Sequence, residues 1–250
     1  MRPARYEFLL LLLSLVLFPS CDPVFRARSA QFAGYRISDQ LPKDSALVRM
    51  IQPYRQEVDR TMNEVVGFAP VALEKKQPEG TLGNFMADAL LERARAVFLV
   101  PVDAAVVNFG GIRLNQLPAG PVTNGKIFEL MPFDNLLVLQ KLKGDVLQRF
   151  LNLTAARGGW PVAGITLEIR GQEAIRVRIG GRPLDTAAVY TIANSDFVAN
   201  GGDNADMLRG LPQISNGYLV RDALFDHIKN RKSAGKSIVA EVQQRVIYAE

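Results

Sequence analysis

The stretch TLGNFMADALLERARAVF, residues 81–98, restricts the fold more than any other part of the chain. Leu82, Phe85, Met86, Ala89, Leu90 and Val97 recur at helical spacing and form one apolar stripe. Thr81 stands where an N-cap belongs. Directly after it, VDAAVVN at 102–108 reads as a short buried strand. A striped helix leading into such a strand requires a layered packing of helix on sheet.

The same alternation runs along the first half of the chain. SALVRMIQPYRQEVDRTMN places Leu47, Ile51, Tyr54, Val58 and Met62 on one helical face, with Pro53 expected to kink or break it. EVVGFAPVAL at 64–73 is strand-like, and NLLVLQKL at 135–142 predicts another strand. Gly144 opens a second amphipathic helix through Val146, Leu147, Phe150 and Leu151. Strands then dominate. ITLEIR and AIRVRI flank a short turn, and Ile175, Val177 and Ile179 alternate with Arg176 and Arg178, which predicts one buried and one wet face. GGRPLD is a connecting turn, VYTIANS at 189–195 a strand, and YLVRDALFDHIKN a last helical face. The expected fold class is α+β, a single mixed α/β domain of layered helices and mixed sheets over residues 44–250.

The N-terminus follows a different logic. Arg2 and Arg5 precede FLLLLLSLVLF at 8–18, an apolar run too short to span a bilayer and suited to a signal segment over residues 1–20. Cys21 follows it and is the only cysteine, so no internal disulfide can form. Its position resembles a bacterial lipoprotein cleavage site, at which the cysteine becomes the lipidated first residue. Residues 21–43 then form a tether and entry segment, and the expected location is the bacterial cell envelope, membrane-anchored through that lipid.

The rest of the composition removes several kinds of chemistry. The net charge of +5 is mild, and the basic residues form no nucleic-acid-binding stripe, so nucleic acid is not an expected partner. His227 is the only histidine, and it lies in a helix beside Phe225 and Ile228, where a structural role is expected. A hydrolytic two-metal site and a Ser-His-Asp or Cys-His system are therefore not expected, and no catalytic or metal-ligating residue is assigned. No P-loop or G-x-G-x-x-G is present. Paired carboxylates need no local motif, so carboxylate catalysis stays open.

Four Gly-Gly pairs remain. Gly158-Gly159 and Gly180-Gly181 read as turns. The pairs in NFGGIR and NGGD each follow a strand and lie close to ligand-capable groups: Asn108 and Arg113 around the first, Asn200 and Asp203 around the second. Glycine lets a backbone approach a ligand closely, and an arginine can fork onto phosphate. Phe133 and Phe197 lie near these loops in sequence and are flat surfaces for a ring.

In order and spacing, TLGNFMADAL, NFGGIR, FELMPFDNLLVLQKLKG, GGRPLD, VYTIANSDF and FVANGGDN, spread over residues 48–208, resemble the C-terminal domain of the 5′-nucleotidase family. The resemblance implies a nucleotide or nucleoside ligand. Phe133 and Phe197 would sandwich the base, Asp203 would hold ribose hydroxyls, and Asn108 and Arg113 would face the ligand. Gly201 and Gly202 would let the backbone come near the sugar. A family arginine ahead of the first helix falls near Lys75 or Lys76, and Lys76 is taken for it, without the arginine fork. Asn84 and Asp88 match the helix motif and are read as structural. In full-length relatives a separate metallophosphatase domain supplies two metal ions and the attacking water. The single histidine leaves this chain without such a centre, so no cofactor is expected in it. Divalent metals are expected in a separate metallophosphatase partner. Three roles follow: half of a split enzyme, a nucleotide-capturing envelope lipoprotein without chemistry, or a structural relative that binds nothing.

Overall fold

The computed structural model describes residues 29, 31–36, 38 and 41–250. The expected signal segment, Cys21 and part of the expected tether lie outside the described residues. The chain divides after Val48 into a unit of residues 1–48 and a unit of residues 49–250. In the first, the Asp44 carboxylate accepts the N–H groups of Ala46 and Leu47 at 2.8 and 3.1 Å, which caps the start of helix α1 (Ser45–Met62). Helix α1 forms as its spacing predicts and runs on through Pro53, yet none of its residues is buried. Its exit is tied down by Asn124, whose Nδ2 donates to Thr61 O at 2.9 Å.

The larger unit is built on a five-stranded mixed sheet. Its strands are β3 (Ala104–Val106), β6 (Leu137–Lys143), β7 (Val162–Ala163), β11 (Val189–Ser195) and β12 (Gln213–Ile214), in the order β12-β6-β11-β3-β7. Strand β11 is the pivot, antiparallel to β6 and parallel to β3. Both faces of this sheet are covered. Along β3, Ala104 and Val106 enter one core while Ala105 and Val107 enter the other. That is why VDAAVVN shows no polar alternation.

On one face lie α2 (Thr81–Phe98) and α6 (Val220–Ser233). Leu82, Phe85, Met86, Ala89 and Leu90 are each at most 1% exposed, so the stripe visible in the sequence is buried except at its last member, Val97, which is half-buried. Thr81 does not cap this helix. Gly80 precedes its first turn, and Thr81 Oγ1 instead accepts the N–H of Glu74 at 2.8 Å, which ties α2 to the short strand β2 (Leu73–Glu74). On the other face, α4 (Gly144–Ala156) packs with a four-stranded sheet ordered β10-β9-β8-β13. Its strands are β8 (Ile165–Arg170), β9 (Glu173–Ile179), β10 (Arg182–Pro183) and β13 (Val246–Tyr248). Ile165, Leu167, Ile169, Val177 and Ile179 point inward, and Thr166, Arg170, Arg176 and Arg178 stay exposed.

Smaller elements complete the unit: β1 (Val65–Ala69) with β5 (Gly120–Thr123), β2 with β4 (Gln116–Leu117), α3 (Asn124–Leu130) and the one-turn helix α5 (Asp196–Ala199). Among the described residues, no helix is long and apolar enough to cross a membrane. A mixed α/β fold was expected, and this is one.

Two buried polar side chains inside the sheet hold the loop after α5 in place. Asn194 on β11 donates to Gln140 Oε1 on β6 at 3.2 Å, and Gln140 Nε2 donates to Leu208 O at 3.2 Å. Both residues are fully buried. The pair hooks the loop onto the middle of the sheet, while Asn194 Oδ1 is left at that depth without a partner among the described residues.

Candidate functional site

Three chain segments converge at one end of the five-stranded sheet. The first leaves β3. Asn108 is followed by a single 3₁₀ turn at Phe109–Gly111, closed by the Gly111 N–H to Asn108 O at 2.9 Å. A Cβ on Gly111 would lie 2.7 Å from Asn108 Oδ1, so the glycine is what lets the Asn108 side chain fold over its own turn. Arg113 is then anchored by its N–H to Leu130 O at 3.0 Å.

The second segment enters β6 and carries Phe133. Arg221 on α6 lies under it, donating to Phe133 O at 3.3 Å and to Asp134 Oδ1 at 2.6 Å while stacking 4.5 Å over the Phe128 ring. The third leaves β11 through α5. Ser195 caps that helix by accepting the Val198 N–H at 3.3 Å, and Asp196 exchanges two bonds with Leu136: N to O at 2.9 Å, and Leu136 N to Asp196 Oδ1 at 3.0 Å. These bonds fix the start of α5, which carries Phe197.

Between the segments lies a cavity of about 320 Å³ lined by Asn108, Gly110, Gly111, Arg113, Phe133, Asn135, Phe197 and Asp203. Phe133 and Phe197 are 38% and 44% exposed, unusual for phenylalanine, and among the described residues neither is in aromatic contact with the other. Arg113 leans its guanidinium toward the Phe133 ring at 5.7 Å. Asp203 holds a left-handed backbone, φ 53, which a non-glycine residue rarely adopts, and Asn108 Nδ2 donates to its Oδ2 at 2.8 Å.

Five of the residues expected from the sequence, Asn108, Arg113, Phe133, Phe197 and Asp203, therefore line one cavity. The glycine pair of the last loop lies beside that cavity and is not part of its lining. Gly201 and Gly202 face a neighbouring hollow bounded by Asn135, Asp196, Phe197, Asn200 and Arg209. A Cβ on Gly202 would meet Phe197 Cε1 at 2.5 Å, and one on Gly201 (φ +90) would meet Arg209 Nε at 2.8 Å. Their missing side chains admit Phe197 and Arg209, packing neighbours in the same loop.

Lys76 is also displaced from its expected place. It is exposed and pairs with Glu74 at 2.5 Å. Its neighbour Lys75 turns inward: Nζ donates to Ile112 O at 2.7 Å and sits 4.2 Å over the Phe109 ring. Partial burial, followed by the charge of Arg113, lowers the Lys75 pKa. Adjacent lysines point to opposite sides of the chain here, and only the turn geometry decides which faces in. Asn135 was not singled out from the sequence, although it stands two residues after Phe133 in the same motif. Arg221 carries no local signal at all, since its partners lie 87 and 88 positions away.

Chemically the cavity is a binding surface. It offers two flat apolar rings, a cation and one carboxylate. The donor set does not fit a divalent cation: the single carboxylate is already engaged by the Asn108 N–H, and the remaining charged group is a guanidinium. Away from the cavity, Asn84 donates to Glu79 Oε1 at 2.5 Å and to Glu241 O at 2.8 Å, and Asp88 takes a two-bond clasp from Arg245 at 2.7 and 2.8 Å. His227 is buried on α6, edge-on to Phe85 at 5.3 Å. Its Nδ1 lies 2.9 Å from Glu92 Oε2 but off hydrogen-bond alignment.

Comparison with known proteins gives a family and several relatives. Residues 60–210 match the family model described as 5'-nucleotidase, C-terminal domain. Protein UshA of Yersinia enterocolitica is 28% identical over 203 residues, covering 77% of this chain and 36% of that protein. The trifunctional nucleotide phosphoesterase protein YfkN of Bacillus subtilis is 32% identical over 218 residues, covering 78% of this chain and 14% of that one. Among solved structures, a 5'-nucleotidase precursor from Thermus thermophilus superposes with a TM-score of 0.70 at 28% identity, over 84% of this chain and 44% of that chain. The chain thus spans less than half the length of each of these proteins.

Proposed function

This chain belongs to the 5′-nucleotidase C-terminal domain family, and we propose that it is the nucleotide-binding half of a 5′-nucleotidase, acting in nucleotide catabolism with a separate metallophosphatase chain. The observation that carries this reading is the cavity between Phe133 and Phe197. Two exposed rings that line one cavity without stacking on each other suit a planar base, and base–aromatic stacking supplies about 1–3 kcal/mol per base. Asp203 then receives ribose hydroxyls, and Arg113 stands ready for an anionic group. No histidine lines the cavity, and its one carboxylate, Asp203, is oriented through Oδ2 by Asn108. The metal ions and the attacking water belong on this reading to the partner chain. The lipid at Cys21 would hold the assembly at the bacterial cell envelope.

The first experiment is calorimetry with AMP and adenosine on the parent, Phe197→Ala and Asp203→Ala. Saturable heat in the parent, weakened at least tenfold in each variant, supports the binding role. No heat from any nucleotide overturns it. The second mixes the chain with a metallophosphatase encoded beside it and assays AMP hydrolysis. Activity no greater than that of the metallophosphatase alone removes the split-enzyme role and leaves a nucleotide-capturing lipoprotein.

A further inference from the structure

A second cavity lies on the outer face of the four-stranded sheet, and at about 380 Å³ it is larger than the one between the phenylalanines. It is lined by Thr166 and Glu168 from β8, Arg176 and Arg178 from β9, Pro183 from β10, and Gln244 and Ile247 at β13. It shares no residue with the nucleotide cavity.

Its construction is unusual in two respects. Five non-glycine residues among those described have positive φ, and two of them, Arg176 (φ 50) and Gln244 (φ 57), border this one cavity. A third, Asp203, lines the nucleotide cavity. Conformations of this kind cost energy and persist where the surroundings hold them, which makes them pointers to sites. At Arg176 the cause is visible: the β8–β9 register shifts between Thr166 and Glu168, so an extra residue bulges out of β9. The bulge turns Arg176 across the strand onto Glu168, which it grips through Nη1 at 2.9 and 3.0 Å.

That pair leaves the charge of Arg178 uncompensated. Arg178 spends one N–H on Gly181 O at 3.0 Å, and among the described residues it has no carboxylate partner. The Thr166 hydroxyl and the Gln244 carboxamide border the same hollow. Pro183 and Ile247 add apolar wall. The floor therefore presents one net positive charge, two neutral hydrogen-bonding groups and a greasy flank, in a volume within the range of small-molecule pockets.

The geometry points to a second binding site here, for a small organic anion: a phosphate or carboxylate carrying a short apolar group. Arg178 forks onto the anion, Thr166 and Gln244 donate to it, and the apolar part lies against Pro183 and Ile247. The Arg176–Glu168 pair fixes the bulge that shapes the floor and keeps a second cation out of the site. The ligand is thereby limited to low charge, in contrast to a nucleoside polyphosphate.

The test is an NMR titration of the ¹⁵N-labelled full chain with phenyl phosphate, with inorganic phosphate and benzoate in separate arms. The expected result is saturable shifts of the Thr166, Arg178 and Gln244 signals. They should persist in Asp203→Ala, which disables the nucleotide cavity, and vanish in Arg178→Gln. Thr166→Val, which keeps the shape and removes a donor, should weaken binding severalfold with the rest of the spectrum unchanged. Inorganic phosphate shifting the same signals as strongly as phenyl phosphate would show that the apolar wall adds nothing, and would overturn the organic part of the assignment. Preference between phenyl phosphate and benzoate identifies the anion. Shifts confined to the Phe133–Phe197 cavity, shifts that survive Arg178→Gln, or no shift up to the solubility limit of the probes each overturn the site, whatever becomes of nucleotide binding.

Discussion

Asn108 Nδ2 donates to Asp203 Oδ2 at 2.8 Å across 95 positions of sequence. The bond joins the loop after β3 to the loop after β11, two strands that run parallel side by side. Parallel neighbours bring their exits to the same edge of a sheet, so two glycine-rich loops far apart in the chain become the two halves of one wall. The bond also orients the carboxylate, because Asn108 is 8% exposed and has little freedom to turn.

Replacing Asn108 by Asp sets one carboxylate against another in that bond. Nucleotide affinity should fall at least tenfold in calorimetry. Asn108→Ala should cost about 1–3 kcal/mol in denaturant melts, because the Asp203 oxygen loses a largely buried donor. Unchanged affinity in Asn108→Asp would mean that the Asp203 orientation is irrelevant to the ligand.

Gly202→Ala puts a methyl 2.5 Å from both Phe197 Cε1 and the Phe197 carbonyl oxygen, so the ring and the backbone that carries it must move. The expected affinity loss matches that of Phe197→Ala, about tenfold or more, which corresponds to roughly 1.4 kcal/mol. A crystal structure or aromatic NMR signals of Gly202→Ala should show Phe197 displaced. Gly202→Ala binding nucleotide like the parent would show that the ring position is not what the glycine protects.

The clasp between Arg245 and Asp88 pairs an Arg245 side chain 11% exposed with an Asp88 side chain 43% exposed, and Nη1 of Arg245 makes a further bond to Val162 O at 2.9 Å. Asp88→Ala leaves that guanidinium without its counter-charge and should destabilise by about 1–3 kcal/mol, the half-exposed carboxylate reducing the loss. Arg55→Ala on α1, where both partners are largely exposed, should change stability by under about 0.5 kcal/mol. Urea melts of the two variants compare the cases directly, and equal effects would contradict the burial argument.

His227 titrates below its ordinary value because burial disfavours the charged ring, with Glu92 pulling the other way. The folded-state pKa is thus the lower one, and on acidification the unfolded chain takes up the proton first. Stability from this residue is complete above about pH 6.5 and is lost as pH falls through that value toward the folded pKa, at no more than about 1.4 kcal/mol per pH unit. Melts of the parent and His227→Gln at about pH 7.5 and about pH 5.5 should show the parent losing more stability than the variant over that interval. A parallel loss in both would place the acid sensitivity elsewhere.

Much of this molecule is written locally. Periodicity alone located α2, α4, α6 and the strands β6, β8, β9 and β11, since a stripe or an alternation is a property of neighbours in sequence. The same local signal misled at α1. Its apolar face is as regular as that of α2, yet no residue of α1 is buried, because spacing specifies a face and says nothing of what covers it. The two-residue strands β2, β4, β7, β10 and β12 left no mark in the sequence, being too short to carry a period.

For the site, the motifs singled out Asn108, Arg113, Phe133, Phe197 and Asp203, residue types whose chemistry is visible one at a time. What only the tertiary structure decided is which of their neighbours face the cavity. It turned Lys75 inward and Lys76 out, gave Gly201 and Gly202 to Arg209 and Phe197, and brought Arg221 from α6 to support Phe133. Each of those outcomes depends on a contact between distant segments, and the energy of such a contact exists only once the sheet has set both strand exits on the same edge.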